Sequence, residues 1–323
     1  MKGMYLKKRK KMRKKKRYRR KHWPILLVSL IVLVLIGLLA GVVQLSVGEV
    51  PPAVEESIGG NSPLAVHFID VGQGDCALVL CDGHAMLIDA GDYAQGTKIQ
   101  AYLKKQGVDQ LDYLVLTHPD ADHIGGAPVI ITKFEIEQVF MSDCNKESAT
   151  YEKVLDALEY RYLKWSMPPV GSTFSLGDAK ITFVGPVKQY EDSNNSSLVL
   201  LVEHGKNCFL FTGDAEEEAE EDLNDSWDRN RSVDVLKVAH HGSKTSTDKA
   251  FLDRIKPDYA VISCGEGNPY GFPHAQPLNY LREHGVEVFR TDEQGSIVVM
   301  SDGTTLSWNM PPSISWQVGT YAP

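Results

Sequence analysis

Cysteine is scarce in this 323-residue sequence: five, at positions 76, 81, 144, 208 and 264, an odd number with no pair at metal-ligand spacing. A disulfide framework is therefore excluded as the organising feature. No internal repeat is present. Acidic residues are missing from residues 1–21, which hold 14 of the 34 lysines and arginines. Basic residues are thin everywhere else, 20 against 42 Asp and Glu, a net charge of −22 from residue 22 onward. A basic tail is thus joined to an acidic body, and the two suit different environments.

Residues 1–21 cannot bury enough apolar surface to fold alone. After Trp23-Pro24, residues 25–43 carry no charge and only Ser29 and two glycines interrupt their apolar run. A spanning helix needs roughly 20 apolar residues, so the expectation is a single membrane anchor. The competing reading is a cleaved signal peptide, whose apolar region is usually about 7–15 residues long. Ala40-Gly41 is a weak cleavage site. No lipobox-like cysteine follows, which argues against a lipid anchor. Lysine and arginine remain on the cytoplasmic side, placing the N-terminus inside and the body outside the cell membrane. The basic stretch next to a span suits anionic lipid headgroups better than it suits a nucleic-acid arm. The expected organisation is a tail (residues 1–22), an anchor (23–45), a linker (46–63) containing Pro51-Pro52 and Gly59-Gly60, a folded domain (64–310) and a second tail (311–323).

Within the domain, short β-branched runs alternate with helical stretches. Strands are expected over 66–70, 77–80, 85–88, 111–117, 197–202, 207–211, 233–238, 259–263, 286–291 and 296–301, with helices near 98–106 and 248–255. Two blocks of strands with interspersed helices predict an α/β fold of two packed sheets with helices outside.

The densest chemistry lies in Thr117-His118-Pro119-Asp120-Ala121-Asp122-His123-Ile124-Gly125-Gly126, directly after an expected strand. Four potential ligands fall within six residues, and a strand end aims such side chains at one point. Imidazole and carboxylate are the donors that Zn, Mn and Fe take. An ordinary polar loop needs no histidine at both ends of an Asp-x-Asp.

A strand followed by HxHxDH is the central motif of the metallo-β-lactamase superfamily, and this HxDxDH segment resembles it. With Asp70-Val71-Gly72-Gln73-Gly74-Asp75 upstream and His240-His241-Gly242-Ser243 downstream, it is similar to the hydrolase domain of ComEC-type competence proteins. Leu87-Ile88-Asp89-Ala90-Gly91, Asn194-Asn195-Ser196-Ser197, Thr212-Gly213-Asp214 and Asn268-Pro269-Tyr270-Gly271 extend the resemblance over nearly the whole body. It implies a four-layer αββα sandwich and two divalent metal ions. His118 and Asp120 would hold one ion, Asp122 and His123 the other, with Asp214 bridging. His240 would be a further ligand of the second ion, and Asp89 would brace the loop from behind. His241 is expected to face substrate or serve structure.

Two departures stand out. The superfamily's third histidine motif falls near residues 194–197, which hold no histidine, so Asn195 is the substitute ligand on offer. Phe272-Pro273-His274 keeps only the second histidine of the subgroup's His-Pro-His, leaving His274 as a ligand, a proton donor or a turn residue. Asp120 in place of imidazole hardens the site and moves its preference from Zn towards Mn or Mg; the expected metals are Zn or Mn.

Two cations so held would lower the pKa of a water between them, with Asp122 placed to orient it. The resemblance implies a phosphodiesterase or nuclease acting on DNA, and the acidic body opposes it. Lys237, Lys244 and Lys249 lie near His240 in sequence and form either a basic rim or three solvated side chains. The alternatives are a phosphodiesterase or phosphoesterase acting on envelope groups such as teichoic acid or phosphocholine, and a non-catalytic binding module. The retained ligand set speaks against the last. One candidate span cannot build the multi-helix channel of the competence proteins, so DNA uptake itself is not implied.

Overall fold

The computed structural model describes residues 63–144, 148–228 and 232–321. Its strands are β1 (Leu64–Phe68), β2 (Ala77–Cys81), β3 (His84–Ile88), β4 (Gln110–Leu116), β5 (Glu135–Met141), β6 (Trp165–Ser166), β7 (Thr173–Leu176), β8 (Ala179–Gly185), β9 (Val199–His204), β10 (Asn207–Phe211), β11 (Val235–Lys237), β12 (Tyr259–Ile262), β13 (Glu287–Arg290), β14 (Ile297–Ser301) and β15 (Leu306–Trp308). One sheet runs β15-β14-β1-β2-β3-β4-β5-β6 and the other β13-β12-β11-β10-β9-β8-β7.

Strand periodicity explains the layers. Along β4, Leu114 and Leu116 face the helices Gly96–Lys105, Ala127–Lys133 and Ala149–Tyr160, while Tyr113 and Val115 face the opposite sheet. Between the sheets, Phe68 and Phe211 stack with centroids 5.8 Å apart. On the far side, Leu210, Leu236 and Ile262 pack under Glu217–Ser226, Lys249–Ile255 and Ala275–Glu283. The result is the expected two-sheet α/β sandwich with helices outside. Helices Ala127–Lys133, Ala149–Tyr160, Glu217–Ser226 and Ala275–Glu283, the strands β5 and β8 and the edge strand β7 are not anticipated by the sequence pattern.

No helix among the described residues is long and apolar enough to cross a membrane; the expected anchor at residues 23–45 lies outside them. The C-terminal tail is bound to the domain: Ser313 N donates to Val288 O (2.7 Å) and Gly319 N to Pro273 O (2.9 Å).

β3 and β4 run parallel side by side, as do β10 and β11. Their C-terminal ends deliver Asp89, the segment from His118 to His123, Asp214 and the pair His240-His241 to one edge of the sandwich. Loops at that edge are free to be polar because the strands behind them supply the core.

Candidate metal centre

Four imidazoles surround the carboxylate of Asp214, and each has its Nδ1 tied away from the centre. His123 Nδ1 donates to Asp89 Oδ2 (2.8 Å) and His241 Nδ1 to Ser263 O (2.9 Å). His118 Nδ1 meets Thr117 Oγ1 at 3.1 Å, and His240 Nδ1 lies 3.0 Å from Glu216 Oε1. Holding the proton on Nδ1 leaves Nε2 with a lone pair directed inward. All four Nε2 atoms close on Asp214, at 3.8 Å for His118, 3.1 Å for His123, 3.7 Å for His240 and 3.6 Å for His241.

Asp120 and Asp122 complete the ring. Asp120 Oδ1 is 3.9 Å from His118 Nε2, and Asp122 Oδ2 is 3.3 Å from His241 Nε2. His123 Nε2 and His241 Nε2 are 3.3 Å apart. Donors bound about 2.0–2.2 Å from a tetrahedral ion stand roughly 3.3–3.6 Å from one another, so this spacing suits shared ions. His118 Nε2, Asp75 Oδ1 and Asp214 Oδ1 are buried without a hydrogen-bond partner, although Asp214 Oδ1 has His123 Nε2 within 3.1 Å. Proximity without hydrogen-bond geometry, at a buried carboxylate, is the condition an ion relieves. Asp75, His123, Asp214 and His241 each offer one ligand atom within 4.8 Å of the others. The donor set therefore fits divalent cations.

The electrostatics without metal are those of charges awaiting a counter-ion. Burial opposes the charge on Asp214, yet His123 and His241 hold its carboxyl well below the usual range. Burial likewise opposes protonation of His241, and Asp214, Asp122 and Asp75 outweigh it, pushing that imidazole up to about 10. His123 is driven up by Asp214 and Asp89 against its own desolvation. His118 moves the other way, through burial and repulsion from His123.

Local backbone makes this convergence possible. His240 and His241 both adopt left-handed conformations, φ 48° and 55°, and Asp89 has φ 58°. Such residues cost of order 1–3 kcal/mol each and persist where the surroundings over-determine them. Here the consecutive left-handed pair turns two adjacent histidines towards one carboxylate. Gly74 is required next to Asp122, where an added Cβ would lie 2.3 Å from the Asp122 carbonyl oxygen. That approach lets Asp75 N donate to the same oxygen (3.1 Å).

Most of the expected site residues meet here: His118, Asp120, Asp122, His123, Asp214 and His240, with Asp89 behind His123. Asn195 does not. Its Oδ1 accepts from Glu216 N and Ala219 N, and its Nδ2 donates to Asp192, so the side chain is fully engaged in fixing the Glu216 loop. His241 joins the centre rather than standing beside it. His274 Nδ1 accepts from Lys244 N (3.0 Å), which ties its loop to the His240-His241 segment. Lys244 is exposed at that edge. Lys237, expected either at a basic rim or as a solvated side chain, is instead buried: it faces inward from β11, and its Nζ pairs with Asp75 Oδ2 at 2.8 Å. Lys249 lies away from the centre on its helix and pairs with Glu283 (3.7 Å).

Asp75, Glu216 and Ser263 are the functional residues that sequence reasoning missed. Asp75 had a signal, as the aspartate closing the Asp70–Asp75 glycine turn before β2. Glu216 and Ser263 had none, because each acts by orienting a histidine distant in sequence.

Comparison with known proteins now bears on this geometry. The metallo-beta-lactamase superfamily model matches residues 69–266. The chain belongs to that superfamily. It is 34% identical over 251 residues to ComE operon protein 3 of Bacillus subtilis (strain 168), covering 72% of this chain and 32% of that protein. Recombination protein 2 of Haemophilus influenzae is 32% identical over 240 residues, with 72% and 28% covered. Competence protein ComA of Neisseria gonorrhoeae is 34% identical over 249 residues, with 76% and 33% covered. The chain thus spans about a third of the length of these relatives. It is a metal-dependent hydrolase of the superfamily, related to the competence proteins, with a buried Asp/His cluster suited to two ions.

Proposed function

We propose that this hydrolase is a two-metal phosphodiesterase with DNA as its leading substrate. The observation that carries the reading is the convergence of four imidazoles on Asp214, with Asp120 and Asp122 beside them. His118 Nε2, with Asp120 Oδ1 3.9 Å away, and His240 Nε2 approach Asp214 Oδ2 at 3.8 and 3.7 Å, His123 Nε2 approaches Oδ1 at 3.1 Å, and His241 Nε2, 3.6 Å from Oδ2, lies 3.3 Å from both His123 Nε2 and Asp122 Oδ2. We assign His118, Asp120 and His240 to one ion and Asp122, His123 and His241 to the other, and Asp214 would serve both. His240 thereby takes the place left by the missing histidine near Asn195. Divalent Zn or Mn in those places would supply a nucleophilic water near neutral pH and would neutralise charge on a phosphoryl oxygen. The chain's own groups do the rest. Asp122, half-buried at the mouth, orients the nucleophile, and Asp89, Glu216 and Ser263 hold the imidazoles in one tautomer. Relatedness to the competence proteins supports DNA, and residues 23–45 would anchor the enzyme with this domain outside the cell membrane.

One observation favours a second reading. A cleft with about 210 Å³ of space is lined by Asp143, Met167, Tyr190, Glu191 and Ser196, with Lys188 as its cation; Ser197, next in sequence to its wall, accepts at Oγ from Asp214 N (3.1 Å). Lys188 is already matched by Glu218 (2.9 Å) and Asp222 (2.8 Å). An acidic, partly aromatic cleft suits a phosphodiester of a cationic alcohol, such as an envelope phosphocholine group. The test is direct: the Mn-loaded protein is incubated with oligodeoxynucleotides and with a choline phosphodiester, beside an Asp122→Ala, His123→Ala variant. Variant-sensitive cleavage of the oligonucleotides supports the first reading. Cleavage of the choline diester alone transfers the assignment to the envelope, and inertness towards both refutes phosphodiesterase action.

A further inference from the structure

The edge of the centre opposite in character to the acidic cleft is formed by the loop around Tyr270 and by the C-terminal tail. Tyr270 is 54% exposed and Tyr321 is 68% exposed, both large aromatic surfaces left in water. Neither is isolated. The Tyr270 ring stacks on Phe272 with centroids 5.2 Å apart and planes 20° from parallel. Phe272 in turn lies 5.5 Å from the His240 ring and 5.0 Å from the His274 ring. A continuous run of rings therefore leads from His240 at the metal centre to the surface in two steps.

The tail is fitted to this loop. Tyr321 lies against Gly271, whose φ is +73°; an added Cβ there would come within 2.8 Å of the tyrosine Cζ. Gly319 N donates to Pro273 O (2.9 Å), and buried Arg290 donates through Nη1 to Gln317 O. These contacts anchor Tyr321 beside Tyr270 rather than leaving it a loose end. Charge agrees with the placement. Lys244, whose amide is held by His274 at the same edge, has no carboxylate within ion-pair distance among the described residues, whereas Lys188, Lys237 and Lys249 are all paired.

An unpaired cation next to exposed aromatic faces is the composition of a single-strand binding surface: the cation meets the backbone and the rings stack on bases without regard to sequence. We propose that Tyr270 and Tyr321 form a stacking platform for the nucleobases flanking the cleaved phosphodiester, so that the enzyme acts on single strands whose bases are free to stack. This rests on the DNA reading. It assigns the tail from residue 311, beyond the stretch matched by the superfamily model, a part in substrate choice.

The experiment measures binding separately from cleavage. The full chain in detergent, loaded with Mn, is titrated with a phosphorothioate-linked oligothymidine 8-mer and with an abasic 8-mer of identical linkage, both carrying the same 3′ label. Stacking is worth about 1–3 kcal/mol per base, so the thymidine strand is expected to bind roughly tenfold or more tightly than the abasic one. Tyr270→Ala and Tyr321→Ala should each shrink that ratio several-fold while leaving abasic binding and the unfolding temperature unchanged. Tyr270→Phe should retain it. Equal binding of the two strands by the unaltered protein overturns the platform, as does failure to bind either strand, or a base preference that survives both alanine variants. Base-dependent binding without cleavage of ordinary oligonucleotides would refute nuclease action and leave the platform standing. Cleavage without base preference would do the reverse.

Discussion

Replacing Asp89 with asparagine should disable one metal position with little change of shape. Asp89 is 1% exposed and makes three bonds: Oδ1 accepts from Thr117 N (2.8 Å), and Oδ2 accepts from Thr117 Oγ1 (2.7 Å) and from His123 Nδ1 (2.8 Å). In Asp89→Asn the amide oxygen must stay opposite Thr117 N, because the reverse orientation sets two donors against each other. The amide nitrogen then faces His123 Nδ1, which has to become an acceptor. The imidazole proton moves to Nε2, the atom facing Asp214 and His241, and a protonated nitrogen cannot bind a cation. Restoring the useful tautomer sacrifices a charge-assisted hydrogen bond and strands two donors, a penalty of about 1.5–3 kcal/mol. That corresponds to roughly a 10–100-fold loss of affinity, the range found for partners of metal-bound histidines. Titration against a fluorescent chelator should resolve two binding events in the parent protein and one weakened event in the variant. An Asp89→Asn protein that binds both ions with unchanged affinity would refute the tautomer argument.

His240→Ala and His241→Ala should each lower metal content from two ions to about one per chain, whereas an arrangement with both histidines on one ion would leave the other ion untouched in both variants. Elemental analysis combined with the double variant settles this, since separate sites give additive loss. Metal affinity should rise with pH below about 10, because His241, raised to about 10, must lose its proton before an ion binds. The sign for the metal-free fold is the opposite: the stabilisation from protonated His241 is complete below its unfolded value near 6.5 and is lost as pH climbs through about 10. Calorimetry in buffers of different ionisation enthalpy should register proton release on metal binding, and a flat pH response between 6 and 8 would count against it. Lys237→Met should cost about 3 kcal/mol, because it strips the buried Asp75 of its 2.8 Å partner and leaves it only the His241 imidazole at 3.6 Å. Denaturant titration should find part of that recovered when Asp75→Asn is added; a loss below about 1 kcal/mol would mean the pair is solvated.

How much of this was legible in the sequence depended on how local each feature is. The segment from His118 to His123 was readable because a strand end and a one-turn helix, Ala121–Ile124, keep its four donors together without help from the rest of the chain. The sandwich was readable because β4 and its neighbours alternate their apolar faces. Lys237 misled because closeness in sequence to His240 was taken for closeness at the surface, whereas β11 is a central strand, flanked by β10 and β12, with every residue buried. Nothing in composition reveals that Arg290 and Gly319 bind the tail back onto the Tyr270 loop.

The sharpest lesson concerns the histidine missing near residue 195. Read linearly, the gap weakens the first metal position, and Asn195 is the nearest replacement. In the fold that asparagine is consumed in holding Glu216, and Glu216 is the carboxylate that faces His240 Nδ1 (3.0 Å). Burial works against charge on Glu216, but its contact with His240 is the larger influence and holds its carboxyl below the usual range. The segment that lacks a ligand thus positions the group that orients another one. Two adjacent histidines in a regular strand would point to opposite faces and serve at most one ion. Held left-handed at φ 48° and 55°, both bring Nε2 to one carboxylate instead, 3.7 and 3.6 Å from Asp214 Oδ2. The absence at 195 and the strained pair at 240 and 241 are accordingly two halves of one arrangement.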